Sequence, residues 1–270
     1  MAYAIVTDSL LANWDSDTFT PGTTWRDSVS NKAINFTSSC SKSIDGIELS
    51  QSVTFSSESL SSFSLTFPFT IQWIGRIDSQ SFNNTYPGNI LGMGEDNNAW
   101  DNSLCLYSKL SPSGIQLDAD SSGTITSGIY TTNIEYNIVI TVSERSSYFE
   151  EDTITLYINS ASSVGSASYT RWDGNGNPAI SASKNYIYNG EGNGRFDGAI
   201  QSIRIWNKCL SSSEIQTIYT KLQDKRVYIK QGNSWKVASK YYKKQNGVWV
   251  EQSDPSVLTD ANTKYVLYSK

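Results

Sequence analysis

Two short stretches set an indole beside amides and acids: Asn97-Asn-Ala-Trp100-Asp101-Asn102 and Arg171-Trp172-Asp173-Gly-Asn175. A pyranose offers an apolar face that an aromatic ring covers, and hydroxyls that amides and carboxylates bond. Trp100, Asp101, Asn102, Arg171, Trp172, Asp173 and Asn175 are therefore the candidate ligand-binding set, with a glycan as the ligand. The competing reading is that either Trp closes the end of a core. Asp173-Gly-Asn175-Gly-Asn177 also spaces three oxygens as a calcium loop does. It departs from the EF-hand pattern at Pro178, where Gly belongs, and at Lys184, where the bidentate Glu belongs. Asp-Gly and Asn-Gly pairs are equally the residues of hairpin turns. A turn, or a calcium ion on Asp173, Asn175 and Asn177, are both open at this point. Glu95-Asp-Asn-Asn98 and Asp118-Ala-Asp120 offer further oxygens.

Other chemistry finds no residues to carry it. The chain has no His, which removes Ser-His-Asp and Cys-His nucleophile systems and His-containing zinc sites. A glycosidase needs an acid and a nucleophile roughly 5 Å apart, hence acids alternating along an inner strand. The strand candidates carry almost none in that pattern. Glu150-Glu-Asp152 is three consecutive positions, which do not share a strand face, and reads as a solvated turn. Gly190-Glu-Gly-Asn-Gly194 opens a strand and not a helix, so no helix N-terminus is there to cradle phosphate. Cys40, Cys105 and Cys209 fit no metal spacing and are expected as small buried hydrophobes. The expectation is a non-enzyme without an obligatory cofactor.

The elements that would position these residues are strands. Phe69-Thr-Ile-Gln-Trp-Ile-Gly-Arg-Ile77 puts Phe69, Ile71, Trp73 and Ile77 on one face. Tyr136–Val142 and Thr153–Ile158 alternate likewise, and shorter candidates recur at 33–37, 53–56, 89–93, 104–107, 114–119, 185–188 and 199–206. Ser, Asn, Asp and Gly fill the breaks. Many short alternating strands predict an all-β sandwich or barrel. An aromatic content of 12% suits strands and binding surfaces. One helix is expected after Trp206: Ser211-Ser-Ser-Glu214 is a capping box, followed by an apolar stripe of Ile215, Ile218, Tyr219 and Leu222. The Gln-Asp-Lys-Arg run after Leu222 marks the predicted boundary between a 1–222 domain and a 223–270 module.

Charge divides at the same place. Residues 223–270 hold nine Lys/Arg against four Asp/Glu, while the preceding 222 hold twelve against twenty-two. A basic tail on an acidic body points to modules with different partners. The tail also repeats itself: Tyr228-Ile-Lys-Gln-Gly-Asn-Ser-Trp235 aligns with Tyr242-Lys-Lys-Gln-Asn-Gly-Val-Trp249 at a shift of fourteen residues. Each copy reads as a hairpin around a Gly-Asn or Asn-Gly turn, and Thr263–Tyr268 as one more strand. Two such hairpins bury little by themselves, which makes Tyr228, Trp235, Tyr242 and Trp249 the candidate interface.

Phe196-Asp-Gly-Ala-Ile-Gln-Ser-Ile-Arg-Ile-Trp-Asn-Lys-Cys-Leu-Ser-Ser-Ser-Glu-Ile215 resembles the closing strand, turn and capped helix of concanavalin A-like, laminin G-like jelly rolls. Leu10-Leu-Ala-Asn-Trp-Asp15 with Trp25-Arg-Asp-Ser28 resembles the family's opening strand and turn. Phe69–Ile77 resembles its central strand. The resemblance implies a two-sheet antiparallel jelly-roll sandwich over residues 1–222, of a kind that binds glycans on its concave face or rim loops, often with calcium. The tail repeats resemble short segments at the ends of tailed-phage virion proteins. That implies a structural part of a bacteriophage, a fibre or decoration protein, docked through its tail to other virion proteins or to copies of itself as a homo-oligomer.

The sequence-level expectation is thus a non-enzymatic virion protein displaying a jelly roll, with a cell-surface glycan as its outward partner. The alternative is a free bacterial lectin domain; a glycoside hydrolase or lyase ranks third. Nucleic acid is not an expected partner. No apolar run approaches the about 20 residues of a membrane span, and the opening Met-Ala-Tyr-Ala-Ile-Val-Thr-Asp8 lacks the marks of a signal peptide. The expected history is synthesis in a host cytoplasm and residence in the virion.

Overall fold

A computed structural model describes residues 3–50, 53–58, 65, 67–81, 88–95, 104–110, 113–119, 123–127, 131–144, 152–169, 185–189 and 195–220, and strand backbone within 228–268. The chain divides into two compact units, Ile5–Tyr219 and Met1–Ala4 with Thr220–Lys270.

The larger unit is built from β1 (Leu10–Asp15), β2 (Gly22–Arg26), β3 (Ala33–Ser43), β4 (Gly46–Leu49), β5 (Phe55–Ser57), β6 (Phe69–Ser81), β7 (Gly88–Glu95), β8 (Leu104–Leu110), β9 (Ser113–Ala119), β10 (Gly123–Thr126), β11 (Glu135–Val142), β12 (Asp152–Ile158), β13 (Ser163–Tyr169), β14 (Asn185–Asn189), β15 (Arg195–Trp206) and α1 (Ser212–Ile218). The strands make one hydrogen-bonded path that folds over itself into two layers. The first layer runs β10-β9-β8-β7-β14-β5-β3, with β2 beside β3. The second runs β4-β15-β6-β11-β12-β13, with β1 beside β15, and the β3–β4 hairpin joins the two. All ladders but one short β7–β15 contact are antiparallel. This is the all-β sandwich expected from the alternation, with the jelly-roll form that the resemblance implied.

The period-2 pattern produces the core directly. In the second layer Trp14, Ile203, Trp73 and Ile138 stand opposite one another across four strands, and Ala12, Ile205, Ile71, Ile140 and Leu156 form the next row. Opposing them are Ile34 and Phe36, Leu91 and Met93, Leu104 and Leu106, and Ile115 and Leu117 from the first layer, all in one buried cluster. Phe69, Ile71, Trp73 and Ile77 share the core as the alternation requires. Trp206 does not join them. It sits on the opposite face of β15, where α1 covers it together with Val139, Leu210, Ile215 and Ile218.

Over β1, β15, β6 and β11 that outer face is buried and polar. Arg204, 1% exposed, donates from Nε to Asn13 Oδ1 at 3.1 Å and from a terminal nitrogen to Gln72 Oε1 at 3.1 Å. Gln72 Nε2 donates to Asn137 Oδ1 at 2.9 Å, and Asn137 Nδ2 to the Ile218 carbonyl at the end of α1. The ladder crosses β1, β15, β6 and β11 and ends on the helix. Burial holds the Arg204 guanidinium down to about 10, the Asp15 charge opposing. α1 itself starts on the predicted capping box: Ser211 Oγ accepts from the Glu214 amide, and Glu214 accepts from the Ser211 N–H at 2.9 Å.

Two expectations need correction. Asp152 is not part of a solvated turn; it opens β12 and is 1% exposed, because its register opposite Tyr169 carries it into the sheet. Cys209 is exposed and not a buried hydrophobe, since it lies in the turn between β15 and α1; Cys40 is buried as expected. The smaller unit contains β16 (Tyr228–Gln231), β17 (Ser234–Val237), β18 (Lys240–Gln245), β19 (Val248–Glu251) and β20 (Tyr265–Tyr268), in sheets β16-β17 and β19-β18-β20.

Candidate functional site

Antiparallel register decides which connections become neighbours. Glu95, the last residue of β7, pairs with Asn185, the first of β14. Leu104, the first residue of β8, stands opposite Met93 on one side and Ala119, the last of β9, on the other. Ala119 in turn pairs with Gly123, the first of β10. The ends of β7 and β9 and the starts of β8, β10 and β14 therefore lie along one edge of the first layer, spanning about 20 Å at the usual strand spacing, while Tyr169, before residues 170–184, ends β13 in the second layer. Sequence reading had singled out Glu95–Asn98, Trp100–Asn102, Asp118–Asp120 and Arg171–Asn177 as separate candidates. Each has one bordering strand end in that row.

Trp100, Asp101, Asn102, Arg171, Trp172, Asp173, Asn175 and Asn177 themselves lie outside the described residues, as does Gly190–Gly194. The calcium reading of Asp173, Asn175 and Asn177 falls there too. Among the described residues no group of three or more His, Cys, Asp or Glu side chains could hold a metal ion.

The register also marks positions that sequence reading missed. Tyr186 stands opposite Gly94, Tyr188 opposite Gly92 and Ser56, and Tyr107 opposite Gln116. These positions alternate with the core positions Met93, Leu106 and Leu117, so they belong to the outer face of the first layer. Asn35, Thr124 and Thr126 on that face are exposed. The signal was present in Asn185-Tyr-Ile-Tyr-Asn189, where tyrosines alternate around one core position.

Carboxylates elsewhere in the described residues serve the fold. Asp27, 4% exposed, accepts the Val29, Ser30 and Lys32 amides at 2.8, 2.8 and 2.6 Å and the Ser30 hydroxyl at 2.7 Å, closing the turn after Trp25. Asp45, Glu48 and Asp78 converge on the Arg76 guanidinium, which fills the space between them and is held above its ordinary range, chiefly by the Asp78 hydrogen bonds. Glu214, held down to about 2 by the Lys208 hydrogen bond and the Ser211 amide, belongs to the helix cap. No helix among the described residues is long and apolar enough to cross a membrane.

In the smaller unit Tyr228 stands opposite Val237 and Trp235 opposite Lys230, while Tyr242 stands opposite Glu251 and Trp249 opposite Lys244. Both copies of the repeat are hairpins in the same register.

Comparison with known proteins places this geometry. The family profile described as the concanavalin A-like lectin/glucanases superfamily matches residues 50–216. No curated protein matches the chain in sequence. Trypanosoma rangeli sialidase, solved with 2,3-difluorosialic acid as a covalent intermediate, is similar in fold at 16% identity and a TM-score of 0.61, over 80% of this chain and 33% of that one. The chain thus spans about a third of the sialidases it matches. Domain 4 of AbnA, a GH43 extracellular arabinanase from Geobacillus stearothermophilus solved with arabinotriose, is 11% identical with a TM-score of 0.55, over 78% of this chain and 98% of that one. The binding domain of botulinum neurotoxin serotype D/C VPI 5993 is 16% identical with a TM-score of 0.55, over 87% and 58%.

Proposed function

We propose that this chain, which belongs to the concanavalin A-like lectin/glucanases superfamily, is a non-hydrolytic carbohydrate-binding jelly roll whose ligand sits at the edge of its first layer where β7 ends and β8 and β14 begin. The observation that carries this reading is the Glu95–Asn185 pairing, which sets the strand end before the Trp100 segment beside the strand end that follows the Trp172 segment. Trp100 and Trp172 stack on sugar rings; Asp101, Asn102, Asp173 and Asn175 bond the hydroxyls. A fold neighbour solved with arabinotriose supports a glycan as ligand class. Separation of roles supports the absence of hydrolysis: Asp45, Glu48 and Asp78 are bound to the guanidinium of Arg76, Asp27 to turn amides, Glu214 to the helix cap, and Asp8, Asp17 and Glu58 to lysines.

A second reading is carried by the two hairpins in equal register. The basic C-terminal module docks the jelly roll onto a larger assembly, a virion, where the domain displays its glycan site outward. Calcium at Asp173, Asn175 and Asn177 belongs to the same proposal as a stabiliser of the binding edge.

A glycan array probed with the full chain, followed by reducing-sugar assay on every glycan bound, tests the reading. The expected result is binding without sugar release. Release above a buffer control, or an array without a signal, overturns it. Mass spectrometry of purified particles tests the docking reading separately.

A further inference from the structure

The two copies of the tail repeat differ in one respect. Strand β18 is paired on both sides, with β19 and with β20, whereas its counterpart β16 pairs among the described residues with β17 alone. We infer that the edge of β16 facing away from β17 is a strand-addition site for an extended, acid-flanked segment of another protein. The inference rests on the reading of the tail as a docking module and names the edge that docks.

The register says which groups are on offer. Gln231 and Ser234 close the first hairpin around a two-residue connection, and Gln245 and Val248 close the second. In such hairpins the closing pair exchanges both of its hydrogen bonds, and pairs then alternate. Lys230 and Tyr228 therefore turn their N–H and C=O away from β17, as Lys244 and Tyr242 turn theirs away from β19. On β18 that edge is used: Tyr242 stands opposite Val266, and Lys240 opposite Tyr268. Shifted by fourteen residues, Tyr242 becomes Tyr228. The chain's own Tyr265-Val-Leu-Tyr268 thus shows what kind of strand this repeat accepts: short, antiparallel, aromatic at its ends and aliphatic within.

An outward strand edge of this kind is a template for main-chain pairing. β20 is held at β18 by its own chain and needs no help from charge. A strand arriving from another molecule meets a module with nine Lys/Arg and four Asp/Glu, including Lys236 opposite Ile229. Acidic flanks are the complement, and they steer the encounter in a salt-dependent way. A second copy would set Lys230 of one strand beside a second lysine-rich module, which disfavours self-pairing.

The test uses the full chain and a fluorescent peptide, Tyr-Val-Leu-Tyr with two aspartates at each end, followed by anisotropy. Binding is expected, at least tenfold weaker when lysines replace the aspartates. Tyr228→Phe keeps the outward N–H and should bind as the parent does. Tyr228→Pro removes it and should lose at least tenfold. Lys230→Pro is the control for general damage to the hairpin: its counterpart Lys244 has no partner on β20, so binding should stay within about threefold. Amide exchange over Ser234–Val237 reports whether each hairpin is intact. Equal loss in both proline variants, or no loss with Tyr228→Pro, overturns the inference. So does a parent that ignores the peptide and dimerises, with Tyr228→Pro alone monomeric. Peptide binding by a chain absent from every particle would sink the docking reading and leave the edge standing.

Discussion

The two layers of the sandwich are made from the same alternating strands, but they are finished differently. Across β1, β15, β6 and β11 the second layer is buried on both faces, by the shared core inside and by α1 with its polar ladder outside, whereas Thr153, Ser166 and Ser168 on β12 and β13 are exposed. The first layer is covered on one face, and Asn35, Thr124 and Thr126 meet solvent on the other. A sheet centre sealed twice has no surface left there for a ligand. It fixes the position of its partner, whose outer face and strand ends remain available. The division of labour is between a clamp and a display surface, and substitutions in the two should behave differently.

The largest effect is expected inside the clamp. Trp73→Ala removes an indole at the centre of the shared core and should cost about 3–5 kcal/mol, read by denaturant titration. Arg204→Ala comes next. It strands Asn13 Oδ1 and Gln72 Oε1 in a buried setting, and should cost about 2–3 kcal/mol. If Arg204→Ala melted like the parent, the polar ladder would be ornament to the α1 interface and the contrast between the layers would weaken.

The helix cap should matter less. Ser211→Ala removes an N-cap and should cost about 1 kcal/mol. Glu214 adds a pH dependence of known sign. Its carboxyl falls from an ordinary 4.5 to about 2 in the folded chain, so its stabilisation is complete above about 4.5 and is lost as pH falls toward 2. Melting temperature should therefore drop across that window more steeply in the parent than in Glu214→Gln.

Most of the clamp's inner face is legible in sequence. Phe69, Ile71 and Trp73 alternate with polar residues, and the capping box at Ser211 announces α1. The outer face is not legible, because Gln72 and Arg204 occupy positions that alternation assigns to solvent. Only the packing of α1, a tertiary event, turns that face inward. β13, Ser-Val-Gly-Ser-Ala-Ser-Tyr, was missed for a local reason: its small residues carry no hydrophobic alternation. β3 likewise runs to Ser43 through a Ser-rich stretch that carries little apolar signal. The candidate binding residues could be chosen from sequence by type, but the neighbourhood of their bordering strand ends could not. It depends on the pairing of β7 with β14, strands separated by some ninety positions in the chain.

The display surface should be nearly silent in stability and decisive in binding. Trp100→Ala and Trp172→Ala should each change stability by no more than about 0.5 kcal/mol. The direct test of the central claim is calorimetric titration of the parent and both variants with the strongest glycan from an array. The account predicts measurable binding by the parent, its loss in each single variant, and unchanged melting temperatures. Variants that bind as the parent does would contradict it, as would variants that lose binding and fold together.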